Sequence, residues 1–157
     1  MARRKETVTF TCMVMIEDGK GNVVVQNRVD PEWHGLVFPG GHVEHQEAFA
    51  DSAAREAFEE TGLTVTDLRL VGLQQFAETD GYRYVALFYR ASAAGGELVS
   101  SEEGEVVWMP LEELLARKDE MCPMFDTILK IFLHEEYSEY CLIQSKDDPD
   151  RWEESLK

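Results

Sequence analysis

Residues 38–63 hold a Phe38-Pro39-Gly40-Gly41 turn, a polar loop reaching Glu47, and a run from about Ala48 to Thr61 with helical apolar spacing. Gly62, just past that run, is placed as a C-terminal helix stop. The helix so bounded carries Glu56, Glu59 and Glu60 behind Arg55. Offsets of three and four residues put the three carboxylates on one face, with Cβ atoms about 6 Å apart. Like charges that close repel one another, and a hard divalent cation relieves them. A carboxylate cluster that holds Mg²⁺ typically works on substrate phosphates.

The charge balance narrows the partners. Thirty-one Asp and Glu against 15 Lys and Arg give a net charge of −16 over 157 residues. No Lys/Arg-rich patch stands out, so no nucleic acid and no membrane surface is expected as a partner. A protein this acidic that acts on a phosphate ester needs bound cations to offset the repulsion, in agreement with the carboxylate cluster. Cys12, Cys122 and Cys141 are widely spaced without a C-x-x-C pattern, and the N-terminus lacks a signal-type apolar region. No stretch reaches the roughly 20 apolar residues that span a bilayer. A reduced, cytoplasmic protein is expected, forming one domain over residues 1–157 with a charged tail after about 145 that frays.

Residues 7–16 are β-rich and lead through Asp18-Gly19-Lys20-Gly21-Asn22 into Val23-Val24-Val25, a hairpin pattern. A polar loop over 27–35 precedes the apolar Leu36-Val37-Phe38. On the helix, Phe49, Ala53 and Ala57, with the neighbouring Ala50, Ala54 and Phe58, supply the apolar stripe. Arg55 is spaced to pair with both Asp51 and Glu59. Strand-like runs follow at 64–77, 82–91 and 105–109. Pro110 then begins a short helix, and 123–135 has helical apolar spacing.

The segment from Gly41 to Leu63 resembles the Nudix box, Gly-x5-Glu-x7-Arg-Glu-apolar-x-Glu-Glu-x-Gly-apolar. It matches through Gly41, Glu47, Arg55, Glu56, Ala57, Glu59, Glu60, Gly62 and Leu63. Ala57 is smaller than the aliphatics common there, and His45-Gln46 replaces a frequent proline or glycine. The resemblance implies an α+β fold, an α-β-α sandwich. Its mixed β-sheet would carry the box helix on one face and a C-terminal helix on the other. It further implies that the Gly40 carbonyl and the carboxylates of Glu56, Glu59 and Glu60 ligate Mg²⁺ or Mn²⁺. Arg55 would orient them, and Glu47 would brace the loop. The general base is expected to be Glu59 or a more distal glutamate rather than Glu47.

Outside the box, Ser101-Glu102-Glu103-Gly104-Glu105-Val106-Val107-Trp108 is similar to the segment of MutT-type members that sends a glutamate back to the metal. Glu102 or Glu103 is the candidate. Substrate-binding candidates are Arg28 for a phosphate, Gly41 for close backbone approach, and Trp33 and Tyr82 for the base. Asp126 stands where the MutT type uses an asparagine to read an oxidised purine. Trp108 and Tyr84 are read as packing residues and His45 as an exposed loop residue.

The resemblance implies hydrolysis of a nucleoside triphosphate, with the 8-oxo-dGTP-cleaving enzymes as the best-fitting subgroup. An ADP-ribose or other dinucleotide pyrophosphatase is the alternative, disfavoured because no proline lies between Pro39 and Pro110. A catalytically silent nucleotide sensor is a third reading, disfavoured by the intact box glutamates. The expected partner is a small-molecule nucleotide, with the chain a monomer or homodimer.

Overall fold

Cys12, Val14 and Ile16 alternate with Met13 and Met15 along strand β1 (Thr7–Glu17), and all five side chains are buried. Successive strand residues point to opposite faces, so this strand is covered on both sides. In the computed structural model, which describes residues 5–157, the two sets enter two different cores. The residues Met1–Arg4 of the expected domain lie outside that description.

The remaining strands are β2 (Asn22–Arg28), β3 (Gly35–Val37), β4 (Leu63–Ala77), β5 (Tyr82–Gly96), β6 (Gly104–Pro110), β7 (Glu139–Gln144) and β8 (Trp152–Leu156). They form one mixed sheet in the order β3-β2-β1-β5-β4-β7-β8, with β6 paired to β2. The β1–β5 and β4–β7 pairs are parallel and the others antiparallel. Helix α1 (Phe49–Thr61) covers the face of Cys12, Val14 and Ile16 through Ala53 and Ala57. The short α2 (Leu111–Ala116) follows β6, and α3 (Phe125–Leu133) covers the opposite face. This is the expected sandwich. Among the described residues no helix is long and apolar enough to cross a membrane.

One local departure from sheet regularity places everything that follows. The hairpin strands β1 and β2 pair at a single position, Glu17 with Val23, and then diverge. The chain from β3 to Val43 fills the opening. On one side, β3 pairs with β2 from Gln26 to Arg28. On the other, Val14 and Cys12 donate their N–H groups to the carbonyls of Pro39 and Gly41 (both 2.8 Å), and Val43 donates to Phe10 (3.0 Å). Phe38, at the start of this wedge, is anchored by edge-on contacts with Phe125 and Phe132, at centroid distances of 5.0 and 5.1 Å. Such pairs contribute about 0.5–1.5 kcal/mol each beyond their burial.

Several elements differ from the sequence expectation. The tail after 145 does not fray: β7 and β8 form a hairpin that extends the sheet beside β4. Phe49 and Phe58 are exposed, because the buried stripe of α1 runs through Ser52, Ala53, Glu56, Ala57, Glu60 and Thr61. Phe49 instead packs on Phe10, 5.0 Å away. The third helix starts at Phe125 because Met124 adopts a left-handed conformation with φ 66°. Pro110 caps α2 rather than opening it.

Gly40 lies so close to β1 that a Cβ there would stand 2.0 Å from the Cys12 carbonyl oxygen, a backbone atom that cannot swing aside. Gly40→Ala is therefore expected to lower the thermal midpoint by roughly 5 °C or more, at about 2–4 °C per kcal/mol for a chain of this size. Gly95→Ala, whose Cβ would meet only Thr64 Oγ1 at 3.4 Å, should change it little. Equal midpoints for the two variants, by scanning calorimetry, would refute the close approach.

Candidate active site

Because 53, 56, 57, 60 and 61 fall on one side of α1, the apolar stripe that docks the helix also carries two carboxylates into the protein. Glu56 and Glu60 are 9% and 4% exposed. Burial without neutralisation is costly for a carboxylate, and each has one compensating donor. Arg55 Nη1 reaches Glu56 Oε1 at 2.8 Å, and the Gly40 N–H donates to Glu60 Oε2 at 2.8 Å. Glu60 Oε1 is buried with no partner among the described residues. Burial, reinforced by Glu103 and Glu56 nearby, pushes Glu60 up to about 8, and burial also raises Glu56.

Arg55 organises the surrounding anions. Its Nε and Nη2 grip the two oxygens of Glu47 at 2.9 and 3.0 Å, its Nη1 reaches Glu59 at 3.0 Å, and Nη2 also donates to the His42 carbonyl at 3.0 Å. The expected pairing with Asp51 is absent: Asp51 points to solvent, and Glu47 holds the guanidinium instead. Glu47 also accepts the Glu44 N–H at 3.0 Å, and these bonds hold its carboxyl down to about 2. A carboxylate so engaged is a brace, not a proton acceptor. Glu59 keeps one oxygen free, and its side chain is 55% exposed.

The two glycines differ in what they provide. In the wedge, the carbonyls of Pro39 and Gly41 point to β1, whereas that of Gly40, between them, accepts no hydrogen bond among the described residues. Gly41 lies under Glu56, and a Cβ there would come within 2.5 Å of that carboxylate. Among the described residues no three acidic, histidine or cysteine side chains are gathered into a closed ligand set. The donors nevertheless fit a hard divalent ion: an orphaned Glu60 oxygen, the Glu56 carboxylate, Glu103 and a free carbonyl are all oxygen ligands of the kind Mg²⁺ takes.

A cavity of about 600 Å³ opens beside the glycine turn on the α3 side of the sheet; Glu56 and Glu60 do not line it, but they sit against Gly41 and Gly40, which do. Gly40, Gly41 and Glu103 line it, as do Gln74 and Phe76 of β4 and Glu78 just past the end of that strand. Arg28 and Trp33 both line it, with the Arg28 guanidinium 5.4 Å from the Trp33 ring centroid and paired to Glu103 at 2.7 Å. Tyr82 and Tyr84 line it too, and Tyr84 also packs against the core. Of the two candidate glutamates, Glu103 faces the cavity and Glu102 does not. Asp126 is exposed on α3 and does not line the cavity, because the left-handed Met124 takes the inward position. His45 is exposed, and Trp108 packs partly buried on the α1 side.

Sequence reasoning missed Gln74, Phe76, Glu78 and Trp152. Period-two alternation in the 64–77 run could have exposed the first two. Trp152 carried no signal once the tail was read as fraying.

A turn rich in glycine against β1, with an arginine-braced carboxylate helix above it, is the arrangement around which the Nudix family is built. A family model described as the NUDIX domain matches residues 6–127, and the chain belongs to that family. It is 33% identical over 114 residues to YfcD of Salmonella typhi, an uncharacterized Nudix hydrolase. That match covers 70% of this chain and 62% of the relative, so the chain spans somewhat under two thirds of that relative's length. It is also 34% identical over 106 residues to the CMP-5'-(N-acetyl-N-hydroxy-3-aminopropyl)phosphonate hydrolase of Streptomyces rubellomurinus, covering 64% of this chain and 51% of that one. The fold is shared with the MutT protein of Bacillus halodurans, with a TM-score of 0.75 at 23% identity over 95% of this chain and 97% of that one.

Glu60 carries a linkage prediction for the metal-free protein. Its folded pKa of about 8 lies above its ordinary 4.5. Its contribution to stability is therefore fully present below about 4.5 and is lost as pH rises through about 8. Glu60→Gln should accordingly raise the thermal midpoint relative to wild type more at pH 9 than at pH 5. Millimolar Mg²⁺ should raise the midpoint of wild type and move that of the variant far less. Identical Mg²⁺ responses in a thermal-shift assay would contradict the assignment of Glu60 as a ligand.

Proposed function

We propose that the chain hydrolyses a phosphoanhydride bond in a nucleotide, in a reaction that depends on a divalent cation. The preferred substrate is a nucleoside triphosphate, cleaved to the monophosphate and pyrophosphate. The observation that carries this reading is the pair of buried, incompletely compensated carboxylates, Glu56 and Glu60, held against Gly41 and Gly40, the glycines that line an aromatic-walled cavity large enough for a nucleoside. Buried carboxylates without cations are unfavourable, and a polyphosphate beside them would be worse. The two sets of charges become compatible only with cations between them.

Glu56, Glu60 and the Gly40 carbonyl would hold Mg²⁺ or Mn²⁺, with Glu59 and Glu103 as further carboxylates within the same region. When bound, the ion neutralises charge on the phosphates and lowers the pKa of water. In the reaction a water oxygen bonds to phosphorus, the bridging P–O bond breaks, and the water proton passes to a carboxylate. Glu47 is unsuited to accept it, since Arg55 and the Glu44 N–H occupy both of its oxygens. Glu59 and Glu103 remain, one with a free oxygen and the other on the cavity wall. Arg55 fixes the positions of Glu47, Glu56 and Glu59 together, which is a positioning role.

Cleavage of oxidised guanine nucleotides, of the 8-oxo-dGTP type, is the finer form of this reading, and the MutT-like architecture supports it. The relative named as a CMP-phosphonate hydrolase favours a second form, in which a nucleotide is joined to a non-nucleotide group.

A panel of canonical and oxidised dNTPs, ADP-ribose and dinucleoside polyphosphates, assayed for phosphate and pyrophosphate release with Mg²⁺, should rank triphosphates first. A large lead for ADP-ribose would overturn the substrate class. Outer-shell partners of metal ligands typically cost 10–100-fold when removed. A direct ligand should cost more, so Glu60→Gln is expected to reduce turnover by about 10²-fold or more with the fold retained. A wild-type rate in that variant would remove the carboxylates from the mechanism.

A further inference from the structure

The cavity wall at the end of β4 carries two polar side chains that the hydrolytic chemistry does not use, Gln74 on the strand and Glu78 one residue past it. Gln74 is only 5% exposed, and among the described residues the one hydrogen-bond partner of its Nε2 is a weak one, the sulfur of Met124 at 3.8 Å. A buried amide left with a thioether for a partner is under-satisfied. Glu78 is partly buried, and its carboxylate makes no ion pair or hydrogen bond among the described residues. Its backbone, by contrast, is pinned: its N–H donates to the Tyr82 carbonyl at 2.9 Å, and its carbonyl accepts from the Gly81 N–H at 3.3 Å.

Between them on the same face stands Phe76, edge-on to Tyr84 and to Trp152, each with ring centroids 6.0 Å away. The Glu78 N–H bond to Tyr82 carries the extended course of β4 one residue past Ala77, and four residues of extended chain span about 13 Å. Gln74 and Glu78 therefore bracket an object of purine size lying against the aromatic wall, rather than converging on a single atom.

We propose, on the footing of the nucleotide reading above, that Gln74 and Glu78 select the base, favouring one with a ring N–H beside an exocyclic amino group. An ionised carboxylate only accepts hydrogen bonds and can take two side by side. Guanine offers such a pair and, on the same edge beside the ring N–H, a carbonyl to which the Gln74 amide can donate. Adenine and cytosine set a bare ring nitrogen beside their amino group, and its lone pair would face the carboxylate. Uracil and thymine flank their single N–H with two carbonyls. Hypoxanthine keeps the ring N–H and carbonyl of guanine and lacks only the amino group, which makes it the informative comparison. Trp152 contributes area to the wall and no edge contact.

Binding of GMP, IMP, AMP and CMP, which contain no anhydride to hydrolyse, tests this by titration calorimetry in Mg²⁺ buffer. GMP should bind at least about tenfold more tightly than IMP, the effect of one hydrogen bond to a charged group. Glu78→Gln should bring the GMP/IMP ratio close to one, with retained IMP binding reporting that the variant is folded. Trp152→Leu should weaken both nucleotides alike. Equal GMP and IMP affinities in wild type, or an unchanged ratio in Glu78→Gln, would overturn the proposal. Equal turnover of GTP, ATP and CTP would also overturn it and leave the hydrolase reading intact. An intact GMP preference with no Mg²⁺-dependent cleavage of any nucleotide would sustain it and refute the hydrolase reading.

Discussion

Two backbone hydrogen bonds, from Cys12 and Val14 to the carbonyls of Gly41 and Pro39, hold the arrangement together. They make the glycine turn a neighbour of β1 at the place where β2 has turned away. Because the turn is part of the sheet's hydrogen-bonding pattern, its geometry is as fixed as that of a strand. The Gly40 N–H can then meet Glu60, and its carbonyl accepts no hydrogen bond among the described residues. A looser loop would provide neither. Phe38, clamped by Phe125 and Phe132, ties the same turn to the helix on the opposite face.

The second constraint is electrostatic. A chain with a net charge of −16 places several carboxylates close together and supplies one guanidinium among Glu47, Glu56 and Glu59. The arginine neutralises part of that charge and cannot reach Glu60. The distribution is graded, from Glu47, fully engaged and strongly acidic, to Glu60, buried and reluctant to ionise. Carboxylates with environments this different suit different tasks. Here the difference separates the group that shapes the loop from the groups open to a cation.

The parts of the site that were legible in the sequence are those governed by short-range spacing. The box positions, the helix, its Gly62 stop and the β-rich lead-in all depend on contacts within a few residues. Less local features were not legible. The exposure of Phe49 and Phe58 depends on which side of α1 meets the sheet, and the small residues and two glutamates take that side. Asp126 was misplaced by the left-handed turn at Met124, which rotates the start of α3. Glu103 could be separated from Glu102 only once β6 was paired to β2. The cavity wall combines β4, β5 and a C-terminal hairpin, and no sequence period links residues 74–84 to residue 152.

That hairpin lies at the margin of the sheet, with β8 paired only to β7. Strands at an edge separate from a protein at lower free energy than strands in its interior. Opening the Trp152 side of the cavity therefore requires only a local departure of β8, residues 152–156, while the core residues Tyr140 and Leu142 of β7 and the wedge beside β1 stay in place. Ligand exchange and preservation of the carboxylate geometry then place demands on different regions of the chain. A bulky ring bound as proposed would enter and leave without loosening the part that holds the carboxylates.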